Sequence, residues 1–66
     1  MYESVKKMSI IGIDLGSSAT KMINMSEEGQ ILNTLILNRT NAKKAIDFFI
    51  DNKKIDKQKI SKIVLT

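Results

Sequence analysis

One stretch near the start of the chain constrains its fold more than any other. An apolar run ends at a single carboxylate, a bend of small residues follows, and a second apolar run begins after a lysine; residues 10–23 read IIGIDLGSSATKMI. Two apolar runs separated by a short bend rich in glycine and serine are typical of a β-hairpin. With the bend at residues 16–19, we predict strands at residues 8–15 and 20–25.

A second bend and a third strand follow directly. The segment SEEGQ at residues 26–30 contains Gly29, which supplies the positive φ that a hairpin turn requires. The next residues, ILNTLIL at 31–37, have the aliphatic composition of a strand. Three strands joined by short bends predict an antiparallel meander.

The hydrophobic period then changes from that of a strand to that of a helix. Apolar residues recur at three- and four-residue spacing, which places them on one helix face: Ala42, Ala45, Ile46, Phe49 and Ile50. Thr40 or Asn41 is expected to cap the helix, which should end near residues 52–54. Asp56 is expected to cap a further short turn, with Ile60 pointing inward before a last strand at residues 63–65.

The predicted order is therefore β-β-β-α-β, an α/β fold with one main helix. The helix allows the last strand to return parallel to the first by a right-handed crossover, which gives a mixed sheet. Residues 1–7 are polar, and we expect them to form a loosely held start. The two outer strands leave unpaired edges and one helix covers a single sheet face, so we expect the chain to form a homodimer or to aggregate.

Composition limits the function classes. The chain has 66 residues, enough for one small domain, and it contains neither cysteine nor histidine. Disulfides, thiolate metal sites and a histidine general base are thereby excluded. We find no signal peptide and no apolar run approaching the roughly 20 residues of a membrane span. A cytoplasmic location without membrane attachment is the expectation.

The net charge of +4 raises the possibility of a nucleic-acid partner. Basic residues concentrate late in the chain, at Lys53, Lys54, Lys57, Lys59 and Lys62. However, no aromatic residue interleaves with these lysines to stack on bases. We therefore interpret the cluster as a solvated face and expect no nucleic-acid binding.

The first bend has the chemistry of a phosphate site. Small residues at 16–19 let a ligand approach the backbone, whose successive N–H groups can form a concave anion site. Ser17, Ser18 and Thr20 add hydroxyl donors, and Lys21 adds a positive charge suited to phosphate. Asp14 would repel phosphate by itself, so its position favours a role as a Mg²⁺ ligand. Together these residues predict a magnesium–nucleotide site.

An ordinary hairpin is the alternative explanation for the same residues. In that interpretation Gly16 provides a positive φ, Asp14 forms an Asx-type turn, and the two serines are generic turn residues. Neither the G-x-x-x-x-G-K-[ST] pattern nor a G-x-G-x-x-G that opens a helix occurs in the chain. Those two common nucleotide motifs are therefore excluded.

The segment GIDLGSSATK at residues 12–21 resembles the first phosphate-binding motif of the superfamily of actin, the sugar kinases and the heat-shock ATPases. The predicted element order is similar to the start of that superfamily's ribonuclease-H-like domain. The resemblance spans nearly the whole chain. It implies that residues 1–66 are the N-terminal part of an actin-like ATPase or kinase domain that continues beyond the fourth strand.

Within the superfamily the chain is most similar to the bacterial type II pantothenate kinases. The shared features are the motif above, the short second hairpin, the modest helix and the segment ISKIVLT at residues 60–66. These kinases transfer the ATP γ-phosphate to pantothenate, the first committed step toward coenzyme A. The second resemblance is to the ATPases that activate 2-hydroxyacyl-CoA dehydratases and benzoyl-CoA reductases, and Ser17 favours this alternative.

The kinase resemblance implies ATP and Mg²⁺ as cofactors. Asp14 would hold the metal, and residues 16–20 (Gly16, Ser17, Ser18, Ala19, Thr20) would wrap the β- and γ-phosphates, with Lys21 contacting phosphate or bracing the hairpin. The catalytic base, the adenosine pocket and the small-molecule acceptor site would lie outside these residues. We therefore expect the chain to be inactive by itself. A further alternative is a non-catalytic binding module.

Overall fold

The computed structural model describes residues 8–66. Strands β1 (Ser9–Leu15), β2 (Ala19–Ser26) and β3 (Ile31–Asn38) are followed by helix α1 (Ala42–Asn52), a short 3₁₀ turn (Lys57–Lys59) and strand β4 (Ile60–Leu65). The prediction for residues 1–7 lies outside the described residues. The predicted β-β-β-α-β order is confirmed.

The four strands form one mixed sheet in the order β3-β2-β1-β4. β1 pairs antiparallel with β2 and parallel with β4, and β2 pairs antiparallel with β3. The meander and the parallel return of the last strand are thus confirmed. β4 begins at Ile60 instead of residue 63, because Ile60 already pairs with Ser9 at the start of β1.

Helix α1 covers one face of this sheet, and the core lies between them. Because side chains alternate along a strand, Ile11 and Ile13 of β1 point to the same face, where they are buried with Met22 of β2. Ala45 and Phe49 complete the core from the helix. Among residues 8–66, no element packs on the other face of the sheet, which we call the open face.

Short-range hydrogen bonds and one glycine fix the start of helix α1, the start of the 3₁₀ turn and the second hairpin. Asn41 caps the first turn, because its side-chain oxygen accepts a hydrogen bond of 2.9 Å from the Lys44 N–H. Asp56 caps the 3₁₀ turn in the same way, by accepting from the Gln58 N–H at 2.9 Å. At the second hairpin, Gly29 has a φ of 97°. All three local predictions are confirmed.

In the part of the chain that the structure describes, no helix is both long enough and apolar enough to cross a membrane.

Candidate functional site

The predicted metal ligand lies at one end of the parallel strand pair. Asp14 is the penultimate residue of β1, and Thr66 directly follows β4. Hydrogen bonds from the Thr66 N–H to the Ile13 carbonyl (2.9 Å) and from the Leu15 N–H to the Thr66 carbonyl (3.1 Å) hold Thr66 beside Asp14. In open α/β sheets, ligands bind outside the carboxyl ends of such strands.

Asp14 and Lys21 lie opposite each other on the open face. They are direct partners in the β1–β2 register, and both side chains are exposed. Lys21 therefore faces the same side as the carboxylate, a point that its sequence position alone left open. Among residues 8–66, neither side chain forms an ion pair, so both charges remain available to a ligand.

The bend between β1 and β2 is closed by the Gly16 amide. Its N–H donates to the Ala19 carbonyl at 2.9 Å and lies 3.2 Å from the Asp14 carbonyl. Gly16 does not have a positive φ; instead, a Cβ at this position would lie 2.8 Å from the Ala19 carbonyl oxygen. Glycine is required here by the close approach of two backbone segments.

The amides at the tip of the bend are not used by the hairpin. Within the described chain, the N–H groups of Ser17 and Ser18 donate to no backbone or side-chain acceptor. Both residues are exposed, and Ala19 is half-buried. Adjacent amides that point to solvent can bind an anion. Two of the N–H groups predicted to contact phosphate are therefore available, whereas the Gly16 N–H is engaged.

Thr20 is separated from the other predicted site residues. Its side chain points to the helix-covered face and is 0% exposed. Its hydroxyl has no hydrogen-bond partner among the residues described. Because successive side chains of a strand point to opposite faces, Thr20 and Lys21 cannot present their side chains to one ligand.

Asp14 is suited to holding a magnesium ion at bound phosphates. Its carboxylate accepts no side-chain or backbone hydrogen bond from the described residues, so no Asx-type turn occupies it. No group of three or more acidic residues that could hold a metal is found in residues 8–66, so these residues do not supply an all-protein cage. Mg²⁺ is commonly held by one or two carboxylates together with substrate phosphates and water, which fits one exposed carboxylate beside a bend with unused amides.

An apolar groove on the open face adjoins this site and was not anticipated from the sequence. It has a volume of about 410 Å³ and is lined at its centre by Gly12, Ile23 and Val64. A Cβ at Gly12 would lie 3.0 Å from the Ile23 Cγ2 atom, so the glycine lets the Ile23 side chain pack close to β1. Asp14, Lys21 and Thr66 line the groove as well. The parallel pairing of β1 with β4 creates this arrangement. Gly12 and Thr66 carry no sequence signal of it, since their roles depend on neighbours in space.

Comparison with models of known protein families found no match, and no curated protein sequence matched the chain.

Proposed function

We propose that this chain forms the magnesium–ATP phosphate-binding part of a small-molecule kinase of the type II pantothenate kinase kind. The proposal rests on one observation: Asp14 and Lys21 share the open face beside a bend whose Ser17 and Ser18 amides donate to no acceptor within residues 8–66. A carboxylate for the metal, a lysine for the phosphate charge and amide donors are the components that phosphoryl-transfer sites combine. A cytoplasmic location belongs to the same proposal, because ATP is supplied there.

Two features of the hairpin support a ligand role over a purely structural one. In an ordinary hairpin, Gly16 would supply a positive φ and the Asp14 carboxylate would accept a turn hydrogen bond. Gly16 has no positive φ, and the Asp14 carboxylate accepts no hydrogen bond from residues 8–66. Within residues 8–66, therefore, no structural partner accounts for the presence of Asp14 near the end of β1. A Mg²⁺ ion held by Asp14 would explain this exposed carboxylate, since it would neutralise the charge of phosphates bound at the neighbouring bend.

The binding step is tested by a nuclear magnetic resonance titration of the chain with ATP, with and without Mg²⁺. The proposal expects amide shifts at Ser17 and Ser18 that are stronger with Mg²⁺. Asp14→Asn should weaken Mg²⁺-dependent binding at least tenfold, because the metal loses its protein ligand. Asp51→Asn, which removes an exposed carboxylate from the helix, is the matched control and should bind magnesium–ATP as the unsubstituted (parent) chain does.

Shifts that are equal with and without Mg²⁺, or unchanged in Asp14→Asn, would contradict the metal role of Asp14.

The kinase activity is tested in a longer protein that contains these residues. There, Asp14→Asn should abolish ATP-dependent phosphorylation of pantothenate while the circular dichroism spectrum stays unchanged. A dehydratase-activating ATPase would use the same bend, so hydrolysis of ATP without phosphate transfer to pantothenate would favour that alternative.

A further inference from the structure

Strand β3 forms one outer edge of the sheet and carries no charged residue. Its sequence is ILNTLILN, and Ile36 is the most exposed large apolar side chain of the described residues, at 66%. Edge strands of soluble proteins are normally protected by charges, prolines or a covering segment, because their free backbone groups pair with other strands. None of these three protections is found along Ile31–Asn38 within the described structure.

The other edge strand, β4, is better protected. Lys62 lies within it, and its pairing with β1 is irregular next to Ser61, whose hydroxyl donates to the Ser9 carbonyl. Lysines and irregular pairing both discourage the addition of a further strand. β3 also has an irregularity, at Leu32, but residues 33–38 pair regularly with β2.

The backbone orientation identifies which β3 residues can pair outward. The Gly16 N–H donates to the Ala19 carbonyl, so the backbone of Ala19 faces β1. The N–H and C=O groups of successive residues in a strand point alternately to its two neighbours, so those of Thr20 and Met22 point toward β3. Their partners in β3 are Leu37 and Leu35. The free N–H and C=O groups of β3 therefore belong to Thr34, Ile36 and Asn38.

We propose that a second copy of this chain pairs antiparallel along β3, with the two-fold axis at Ile36. In this register Ile36 lies opposite its own copy, Leu35 lies opposite Leu37, and Thr34 lies opposite Asn38. Apolar residues thus meet apolar residues on both faces, and polar residues meet polar ones. A register centred on Leu35 would instead place Thr34 opposite Ile36 and Asn33 opposite Leu37. Two sheets of four strands then join into one continuous sheet.

Residues 34–38 of β3 are complementary to the same residues of a second copy, which favours a second copy as the partner. Side chains that lie directly opposite each other on antiparallel strands interact, and this register pairs apolar with apolar and hydrogen-bonding with hydrogen-bonding side chains. The segment also brings no like charges together, although each copy carries a net charge of +4. Residual repulsion between copies is screened by salt, so the dimer should tighten as the sodium chloride concentration rises.

The test is a charge swap at the two-fold axis, measured by sedimentation velocity and native mass spectrometry. Ile36→Lys and Ile36→Glu should each be monomeric at concentrations where the parent chain is dimeric. An equimolar mixture of the two should form a heterodimer, because Lys then lies opposite Glu. Val64→Lys is the matched control, since Val64 is an exposed residue (43%) of the other edge strand on the same face, and this variant should remain dimeric.

A second variant guards against loss of folding. Thr34→Pro removes one outward N–H without adding charge, and proline is tolerated where an edge amide faces solvent. It should reduce dimerisation at least tenfold with an unchanged circular dichroism spectrum. The proposal is overturned if the unsubstituted chain is monomeric at about 1 mM, where even a dimer with a dissociation constant of about 1 mM would be well populated. It is overturned equally if Val64→Lys dissociates the dimer as Ile36→Lys does, or if the mixed variants stay monomeric.

Discussion

At the first hairpin, the sheet face on which a side chain lies indicates whether it can contact a ligand or packs in the core. Asp14 and Lys21 face the open side, whereas Thr20, between Lys21 and the bend, is buried beneath the helix. The hydroxyl of Thr20 is a buried polar group without a partner among the described residues, and such groups reduce stability. Its position indicates a role in packing and not in ligand contact.

Thr20→Val is the variant that tests this assignment. Valine has nearly the same shape and removes the unpartnered hydroxyl, so the free energy of unfolding should rise by about 1 kcal/mol. Magnesium–ATP binding should stay unchanged, because the backbone of the bend is preserved. Urea unfolding and the ATP titration measure the two effects. Loss of binding with stability unchanged would show that the Thr20 hydroxyl contacts the ligand.

Helix α1 ends in a hydrogen-bonded motif in which Lys54 has a strained backbone conformation. The Ile55 N–H donates to the Ile50 carbonyl (2.9 Å) and the Lys54 N–H to the Asp51 carbonyl (3.3 Å), which is the hydrogen-bond pattern of a Schellman motif. This motif places Lys54 at a φ of 54°, in the left-handed region that favours glycine. The geometry explains why the helix ends within the predicted residues 52–54.

Lys54→Gly should therefore stabilise the chain. Removing the Cβ relieves the left-handed strain, and we expect the free energy of unfolding to rise by roughly 0.5–1 kcal/mol after the entropy cost of glycine. Lys53→Gly is the control, because Lys53 has a φ of −96° and gains no relief. Urea midpoints of the two variants should move in opposite directions. A lower midpoint for Lys54→Gly would refute the strain at this position.

On the exposed side of the helix, Lys43 and Asp47 form an ion pair of 2.8 Å. The hydrogen bond from Lys43, together with its charge, lowers the pKa of the Asp47 carboxyl below its ordinary value. A lowered pKa means that the pair stabilises the fold above the ordinary pKa of aspartate. This contribution is lost as the pH falls through the lowered value.

A carboxyl-detected titration of the chain measures this effect directly. Asp47 should titrate below the ordinary aspartate pKa in the parent chain and return toward that value in Lys43→Gln. High sodium chloride should reduce the difference, since both side chains are exposed and the interaction is screened. An identical Asp47 pKa in the parent and in Lys43→Gln would exclude the ion pair in solution.

For the whole molecule, stability depends on a few buried side chains. A chain of 66 residues buries only about 60% of its unfolded surface, so each core contact matters. Phe49 is fully buried against Ile11, Ile13 and Met22, and it is the largest side chain of this core. Its neighbour Phe48 lies at the edge of the buried face of the helix, and its side chain is about half exposed.

Replacing each phenylalanine in turn tests this distribution. Phe49→Ala should cost about 3–5 kcal/mol, which is comparable to the total stability of so small a domain and should leave it largely unfolded. Phe48→Ala should cost less than about 1 kcal/mol, because the side chain stays partly in water. Thermal unfolding followed by circular dichroism separates the two outcomes. Equal costs would place the core elsewhere.

Local features of this fold were predictable from the sequence because neighbouring residues alone determine them. The bends, the caps at Asn41 and Asp56, the positive φ of Gly29 and the change from strand to helix period all depend on residues close in the chain. The element order followed from them, and the short connections required the meander. The start of β4 was less accurate, because Ile60 joins the sheet through its pairing with Ser9.

The candidate site was only partly predictable, because its geometry depends on contacts between distant residues. Alternation along β2 separates Thr20 from Lys21 but does not say which of them the helix buries; the packing of Phe49 and Ala45 decides that. Likewise, Thr66 reaches Asp14 only through the parallel pairing of β4 with β1. Short-range sequence patterns were enough to predict the strands, the helix and the bends. Which side chains share the open face depends instead on the side of the sheet that the helix covers, and only packing between distant residues fixes that side.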